Sequence, residues 1–263
     1  MVIIEDIFIH YKQPEQFLFI GENYVDVFKR LNKSFQKTRS IEDISFFNAT
    51  PEQFGAVVRE LAAVDTGIIL NSGYYIFNIL DFEKIPIRDS LRQEIVEWRL
   101  RKVFPENIEE YDHRFFTLNR KKILSILFKN SLKEVVEARF AANNLVLTYT
   151  GNSTVNIMNH VLKEKVSPDF FIEINGNLFI IVFQEQSVPF YIRKFRSTNE
   201  TEAGAEVLKT INYVKNSYSK TPRTYSLIIG RTDLNLDGVK AELSALDIRP
   251  LELKHKEMLF LPA

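Results

Sequence analysis

Few residues of this chain carry chemistry, and they are scattered. His10, His113, His160 and His255 are its histidines. None has a second histidine at the helical spacing of a His-Glu-x-x-His metal site. Asp112 precedes His113 near a strand start, which suits a surface pair rather than a catalytic dyad. With no cysteine, the chain has no disulfide, thiolate metal site or sulfur nucleophile. Ser72-Gly73 and Gly151-Asn152-Ser153 read as turns, neither being a Gly-x-Ser-x-Gly elbow. No Gly-x-x-x-x-Gly-Lys-[Ser/Thr] loop occurs. Glu94 and Glu97 beside Arg92, Arg99 and Arg101 read as a solvated charge-laced face, or as a docking face for a charged partner segment. Arg120, Lys121 and Lys122, with Lys129 and Lys133 nearby, read as a solvated loop, because the aromatic interleaving of a nucleic-acid surface is missing. What remains are turns beside apolar runs: Gly21-Glu22-Asn23, Asn175-Gly176 and Gly230-Arg231. Backbone N–H groups in such turns can hold phosphate, and the same residues also serve as ordinary turn formers.

The elements that must position these turns alternate along the chain. Gln16–Ile20 and Tyr24–Leu31 read as a hairpin around Gly21-Glu22-Asn23, followed by a short strand at Ile44–Phe47. Thr50-Pro51-Glu52-Gln53 opens a helix with a capping box, with Phe54, Val57, Val58 and Leu61 as its apolar stripe. Strands follow at Gly67–Leu70 and Tyr74–Asp81, then a helix at Arg88–Val103. Its apolar residues place Leu91, Ile95, Trp98 and Val103 on the buried face, and Pro105 stops it. Strands at Phe115–Leu118 and Ile123–Phe128 precede a helix at Leu132–Ala142 capped by Ser131, a strand at Leu145–Tyr149 and a helix at Ser153–Glu164. The order then restarts. Strands at Phe170–Ile174, Leu178–Phe183 and Val188–Phe195 lead to a helix at Glu202–Tyr218. A strand at Tyr225–Ile229, a helix at Val239–Leu246 and a strand at Arg249–Leu253 finish it.

Composition bounds the reading. The chain has 263 residues, with Lys+Arg 34 against Asp+Glu 34, 45% hydrophobic and 26% charged. Those are globular values, long enough for two modest domains or one large one. A balanced charge gives no global attraction to nucleic acid or an anionic membrane. No apolar run reaches the ~18–20 residues that span a bilayer. Met1–His10, carrying Glu5 and Asp6, does not read as an export signal. A cytosolic protein is expected.

A three-strand meander followed by helices and further strands thus occurs twice. The expected fold class is α/β, a mixed sheet with helices on its faces in each copy. Duplicated units of this order describe the ribonuclease-H-like halves of the actin superfamily, and other mixed α/β folds fit the same pattern. Four stretches go further: Phe19-Ile20-Gly21 with Val25-Asp26-Val27; Ile85-Pro86 with Leu91–Trp98 and Phe104-Pro105-Glu106; Ile172-Glu173-Ile174-Asn175 through Phe190–Arg193; and Leu227–Gly230 with Leu236-Asp237-Gly238-Val239. In that order they resemble the first phosphate hairpin, the inserted small subdomain, the second phosphate hairpin and the adenine-side segment of actin-like proteins. The pattern is similar to the type IV pilus assembly family PilM and the cytoplasmic part of the type II secretion protein GspL. The resemblance implies two actin-like lobes, 1–166 and a compact 167–263, with a small subdomain inserted in the first at about 67–119.

It also implies where nucleotide would sit. Gly21, Glu22 and Asn23, then Glu173, Asn175 and Gly176, then Gly230 and Arg231 are the candidate nucleotide-site residues. They depart from an active pattern. Phe19 stands at the first acid position and cannot place a metal, and Glu173 keeps the charge on a longer arm. Asn175 stands where glycine would let backbone approach a phosphate. The expectation is a pseudo-ATPase with no cofactor, ATP with Mg²⁺ being the disfavoured alternative. The resemblance further implies a scaffold on the cytoplasmic side of an inner membrane, partnered by the tail of a bitopic membrane protein and an assembly ATPase. Tyr75, Phe77, Ile79 and Trp98 are its candidate anchors, each also readable as core. The rival readings are an actin-like ATPase and a small actin-like adaptor of another pathway.

Overall fold

A computed structural model describes residues 14–31, 34–61, 64–104, 107–164 and 167–253. His10, His255, Pro105 and Glu106, named above, lie outside them. In chain order the elements are β1 (Gln16–Ile20), β2 (Tyr24–Leu31), β3 (Ser34–Glu42), α1 (Pro51–Glu60), β4 (Thr66–Leu70), β5 (Tyr75–Asp81), α2 (Asp89–Val103), β6 (Tyr111–Thr117), β7 (Lys122–Lys129), α3 (Asn130–Ala142), β8 (Leu147–Asn152) and α4 (Ser153–Lys163). After them come β9 (Phe170–Asn175), β10 (Leu178–Glu185), β11 (Val188–Arg196), α5 (Glu200–Tyr218), β12 (Thr224–Arg231), α6 (Asp237–Ala245) and β13 (Arg249–Pro250). The chain divides into two compact units between Asn156 and Ile157, within α4.

The first unit holds two sheets. One has strand order β3-β2-β1-β4-β8, an antiparallel meander continued by parallel β4 and β8. β1 and β4 are buried along their whole length, as strands covered on both faces must be, which explains their unbroken apolar runs. The other is the antiparallel sheet β5-β7-β6. One of its faces packs Leu80, Tyr111, Ile123 and Leu127 against Val96 and Leu100 of α2. α1 carries the expected capping box, with Thr50 and Gln53 bonded reciprocally, and Phe54 and Val57 are its buried residues. A helix residue ties α3 to the loop before α1. The Arg139 guanidinium on α3 donates to the carbonyls of Phe47 and Ala49 and lies over the rings of Phe46 and Phe54.

The second unit is one sheet, β11-β10-β9-β12-β13. Phe170, Ile172 and Ile174 of β9 and Phe179, Ile181 and Phe183 of β10 face a core closed by Val207, Ile211 and Val214 of α5 and Val239 and Leu243 of α6. Asn199 caps α5 by accepting from the Glu202 N–H.

Four local expectations are corrected. The third strand is β3 and not Ile44–Phe47, which is irregular. β3 is a largely exposed edge strand whose side chains are mostly polar on both faces, so its sequence carries no apolar alternation to read. Ile44 and Phe46 are instead buried as loop anchors. α3 begins at Asn130 without a side-chain cap, and Ser131 lies inside it. β13 spans Arg249–Pro250 only, although Leu251 still donates to the Tyr225 carbonyl. The buried face of α2 is Val96 and Leu100, whereas Leu91, Trp98 and Val103 are exposed.

Candidate functional site

In an open sheet with parallel strands, ligands bind beyond the carboxyl ends of the strands where the order reverses. In the first unit that point lies between β1 and β4, beside the turn Gly21-Glu22-Asn23. Gly21 is there because nothing larger fits. A Cβ on it would lie 2.2 Å from the Tyr24 ring. That ring is itself buried and stacked on Phe19. The Gly21 N–H donates to the Tyr24 carbonyl at 3.0 Å, and its carbonyl accepts from the Tyr74 hydroxyl at 3.0 Å. The turn's glycine is therefore covered by an aromatic ring and bonded through both backbone groups. The nearest acid on β2 is Asp26, opposite Phe19. It is occupied by the Ser40 hydroxyl at 2.5 Å and Lys37 at 3.5 Å.

The neighbouring residues read in the sequence as turns, yet the fold gathers them. β4 and β8 run parallel with Leu70 opposite Asn152, so the segments that leave them meet. The buried Ser72 hydroxyl donates to Asn152 Oδ1 at 3.0 Å and accepts from the Thr154 N–H at 3.0 Å and the Thr154 hydroxyl at 2.7 Å. It also lies 2.8 Å from the Ser153 hydroxyl. Asn71 Oδ1 accepts from the Gly73 N–H, and Asn152 Oδ1 from the Val155 N–H. These bonds fix which way each amide points, and leave the Nδ2 groups of Asn71 and Asn152 buried without a hydrogen-bond partner among the described residues. The available signal was the run of polar residues at the ends of the two parallel strands, Asn71-Ser72 after β4 and Asn152-Ser153-Thr154 closing β8.

In the second unit the corresponding turn follows β9. Gly176 holds φ +62°, a conformation glycine adopts without steric cost, and its N–H is bonded to the Arg231 carbonyl. Glu173 is buried and accepts from Asn175 Nδ2 at 3.1 Å. Arg231 pairs with Asn175 across a register shift that passes over the exposed Gly230. At the start of α6, the Gly238 N–H donates to the Glu200 carboxylate at 2.5 Å. A Cβ on Gly238 would meet that same side chain at 2.7 Å. The Gly176 and Gly238 N–H groups are thus bonded to the chain's own carbonyl and carboxylate.

Glu22 and Asn23 lie at the surface of the first turn, half-buried and exposed respectively. Among the described residues no group of His, Asp and Glu side chains could hold a metal ion. The four candidate anchors do not form one surface. Tyr75 is buried, stacked on Phe128 with ring centroids 4.9 Å apart, and its hydroxyl donates to the Gly151 carbonyl. Burial pushes its phenol far above the ordinary value, with the Asp112 charge adding to the effect. Phe77 and Ile79 share the face of β5 opposite the one α2 covers, and both are half-buried. Trp98 stands on the outer side of α2, 55% exposed.

No protein-family model matches the sequence, and no curated protein resembles it significantly. Solved structures do. The cytoplasmic domain of EpsL, an inner-membrane component of the type II secretion system of Vibrio cholerae, has TM-score 0.61 at 8% identity, covering 93% of this chain and 92% of that one. The PilM–PilN type IV pilus biogenesis complex gives TM-score 0.65 at 13% identity over 90% and 88%. A Bacteroides thetaiotaomicron protein of unknown function with an actin-like ATPase fold gives 0.60 at 9% identity over 91% and 90%. The chain is similar in fold to these proteins. Its mixed α/β architecture is the actin-like one, as the sequence resemblance implied.

Proposed function

We propose that this protein is a non-enzymatic actin-like scaffold of a pilus or secretion assembly platform, working on the cytoplasmic side of the inner membrane. In this reading the two five-stranded sheets are the ribonuclease-H-like lobes, 1–166 and 167–263, and the three-stranded sheet is the small subdomain. One observation carries the non-enzymatic part: the backbone groups that would hold phosphates are already used. Tyr24 covers Gly21, and the Gly176 N–H is bonded to Arg231. A phosphate site needs turn N–H groups that face outward and are open. The likeness to the EpsL domain and to PilM–PilN supports the assembly role. No helix among the described residues is long and apolar enough to cross a membrane; in this reading the contact with the membrane runs through a bitopic partner.

The partner's tail would bind on the three-stranded sheet. β5 is an edge strand, paired within its sheet to β7 alone. Phe77 and Ile79, half-buried beside that edge, would give apolar contacts to alternate side chains of an added strand. Tyr75 serves as the floor of this face rather than as an anchor. The test is a thermal-shift titration with Mg-ATP. The expected result is a melting temperature unchanged at millimolar nucleotide, since binding only the folded state at 100 times Kd would add about 2.7 kcal/mol. A saturable rise would replace this reading with the ATPase one.

A further inference from the structure

Helix α2 has two apolar faces, and the sheet uses only one. Val96 and Leu100 are buried against β5 and β7. On the opposite side, Ile87 just before the helix is 91% exposed, Leu91 44% and Trp98 55%. With the half-buried Ile95 they follow one another at intervals of four, four and three residues. That spacing is a single stripe. Of the eight large hydrophobic side chains exposed among the described residues, Ile87, Leu91 and Trp98 are three. Scattered exposure is ordinary and a concentrated stripe is not. The Lys102 ammonium sits 3.7 Å from the centroid of the Trp98 ring and holds that side chain along the helix.

The charges beside the stripe select its occupant. Arg88, Asp89, Arg92, Glu94 and Glu97 precede Trp98, with Asp89 paired to Arg92, and Arg99, Arg101 and Lys102 follow it. Glu94 and Arg101 are seven residues apart, so they lie on the same edge of the stripe, on either side of Trp98. A helix running the opposite way, related by a two-fold axis at Trp98, brings Glu94 of each copy opposite Arg101 of the other. Antiparallel helix dipoles favour the same arrangement. An isologous interface demands this self-complementarity. An anionic membrane surface would be met by one sign of charge, and the three acids interrupt it. Arg101 makes a 3.7 Å contact with Glu109, both exposed, which is weak enough to yield.

We propose that the outer face of α2 is a dimerisation surface on which a second copy of this chain docks antiparallel about Trp98. The experiment is sedimentation equilibrium of the full chain over a concentration series, with fluorescence of the single tryptophan followed in parallel. A monomer–dimer equilibrium is expected, with emission shifting to the blue as dimer forms. Trp98→Glu should leave a monomer whose circular dichroism is unchanged. Glu94→Arg and Arg101→Glu should each weaken the dimer about tenfold, and the double reversal should restore it. A wild-type monomer at every concentration overturns the proposal. So does a dimer indifferent to Trp98→Glu, a double reversal no tighter than either single one, or association appearing only with anionic vesicles.

Discussion

Two residues show how much a single side chain decides here. Gly21 reads in the sequence as a turn glycine that could face a phosphate, but the Tyr24 ring fills the space beside it. Gly21→Ala should therefore force that buried ring out of its stack on Phe19 and cost roughly 1–3 kcal/mol, measured by urea unfolding. A glycine kept open for a ligand would accept alanine more cheaply. Glu206 on α5 is the second case. Burial acts to raise its pKa, but the bonds and charges of Arg193 and then Lys209 outweigh it, so the carboxyl lies below its usual 4.5. A lowered folded-state value means stability that is present above the unfolded value and lost as pH falls through the folded one. Glu206→Gln should thus be less stable than wild type at pH 7, and the gap should close as pH falls below about 4.5. A gap that persists unchanged at low pH would show that the Arg193 contact contributes through packing alone.

At the scale of the element, α2 is the instructive case. Its sequence holds two apolar sets, and helical periodicity alone gives equal reason to bury either. Leu91, Ile95 and Trp98 are the longer run and hold the one tryptophan, and a reading from spacing takes them as core. The sheet β5-β7-β6 instead buries Val96 and Leu100. Stability measurements on two truncations separate the faces. Val96→Ala should cost about 1–3 kcal/mol, the price of a cavity, whereas Leu91→Ala should change stability by less than about 0.5 kcal/mol. The reverse order would return the helix to the rotation its sequence implied. β3 is the opposite failure: it has little apolar content to read, and its pairing to β2 makes it a strand. α1 needed no such help, since Thr50, Pro51 and Gln53 encode its start locally.

For the whole molecule, the same pairing through α2 has a bulk consequence. A native state stabilised by association melts at a temperature that rises with protein concentration, and Trp98→Glu should abolish that rise. What the sequence determined unaided was the order of most elements, the hairpin turns and the capped helix. Each of these is written in residues close together in the chain, as propensity, period or turn chemistry. The tertiary structure alone decided three things: that Tyr24 and Tyr74 close over Gly21, that the Gly176 N–H is spent on Arg231, and that Ser72 meets Asn152, Ser153 and Thr154. Most of these contacts join residues dozens of positions apart, and even Tyr24, three residues from Gly21, is aimed by the packing around it. Such geometry is set by strand pairing and by which groups burial compels to find partners, and no local pattern carries it.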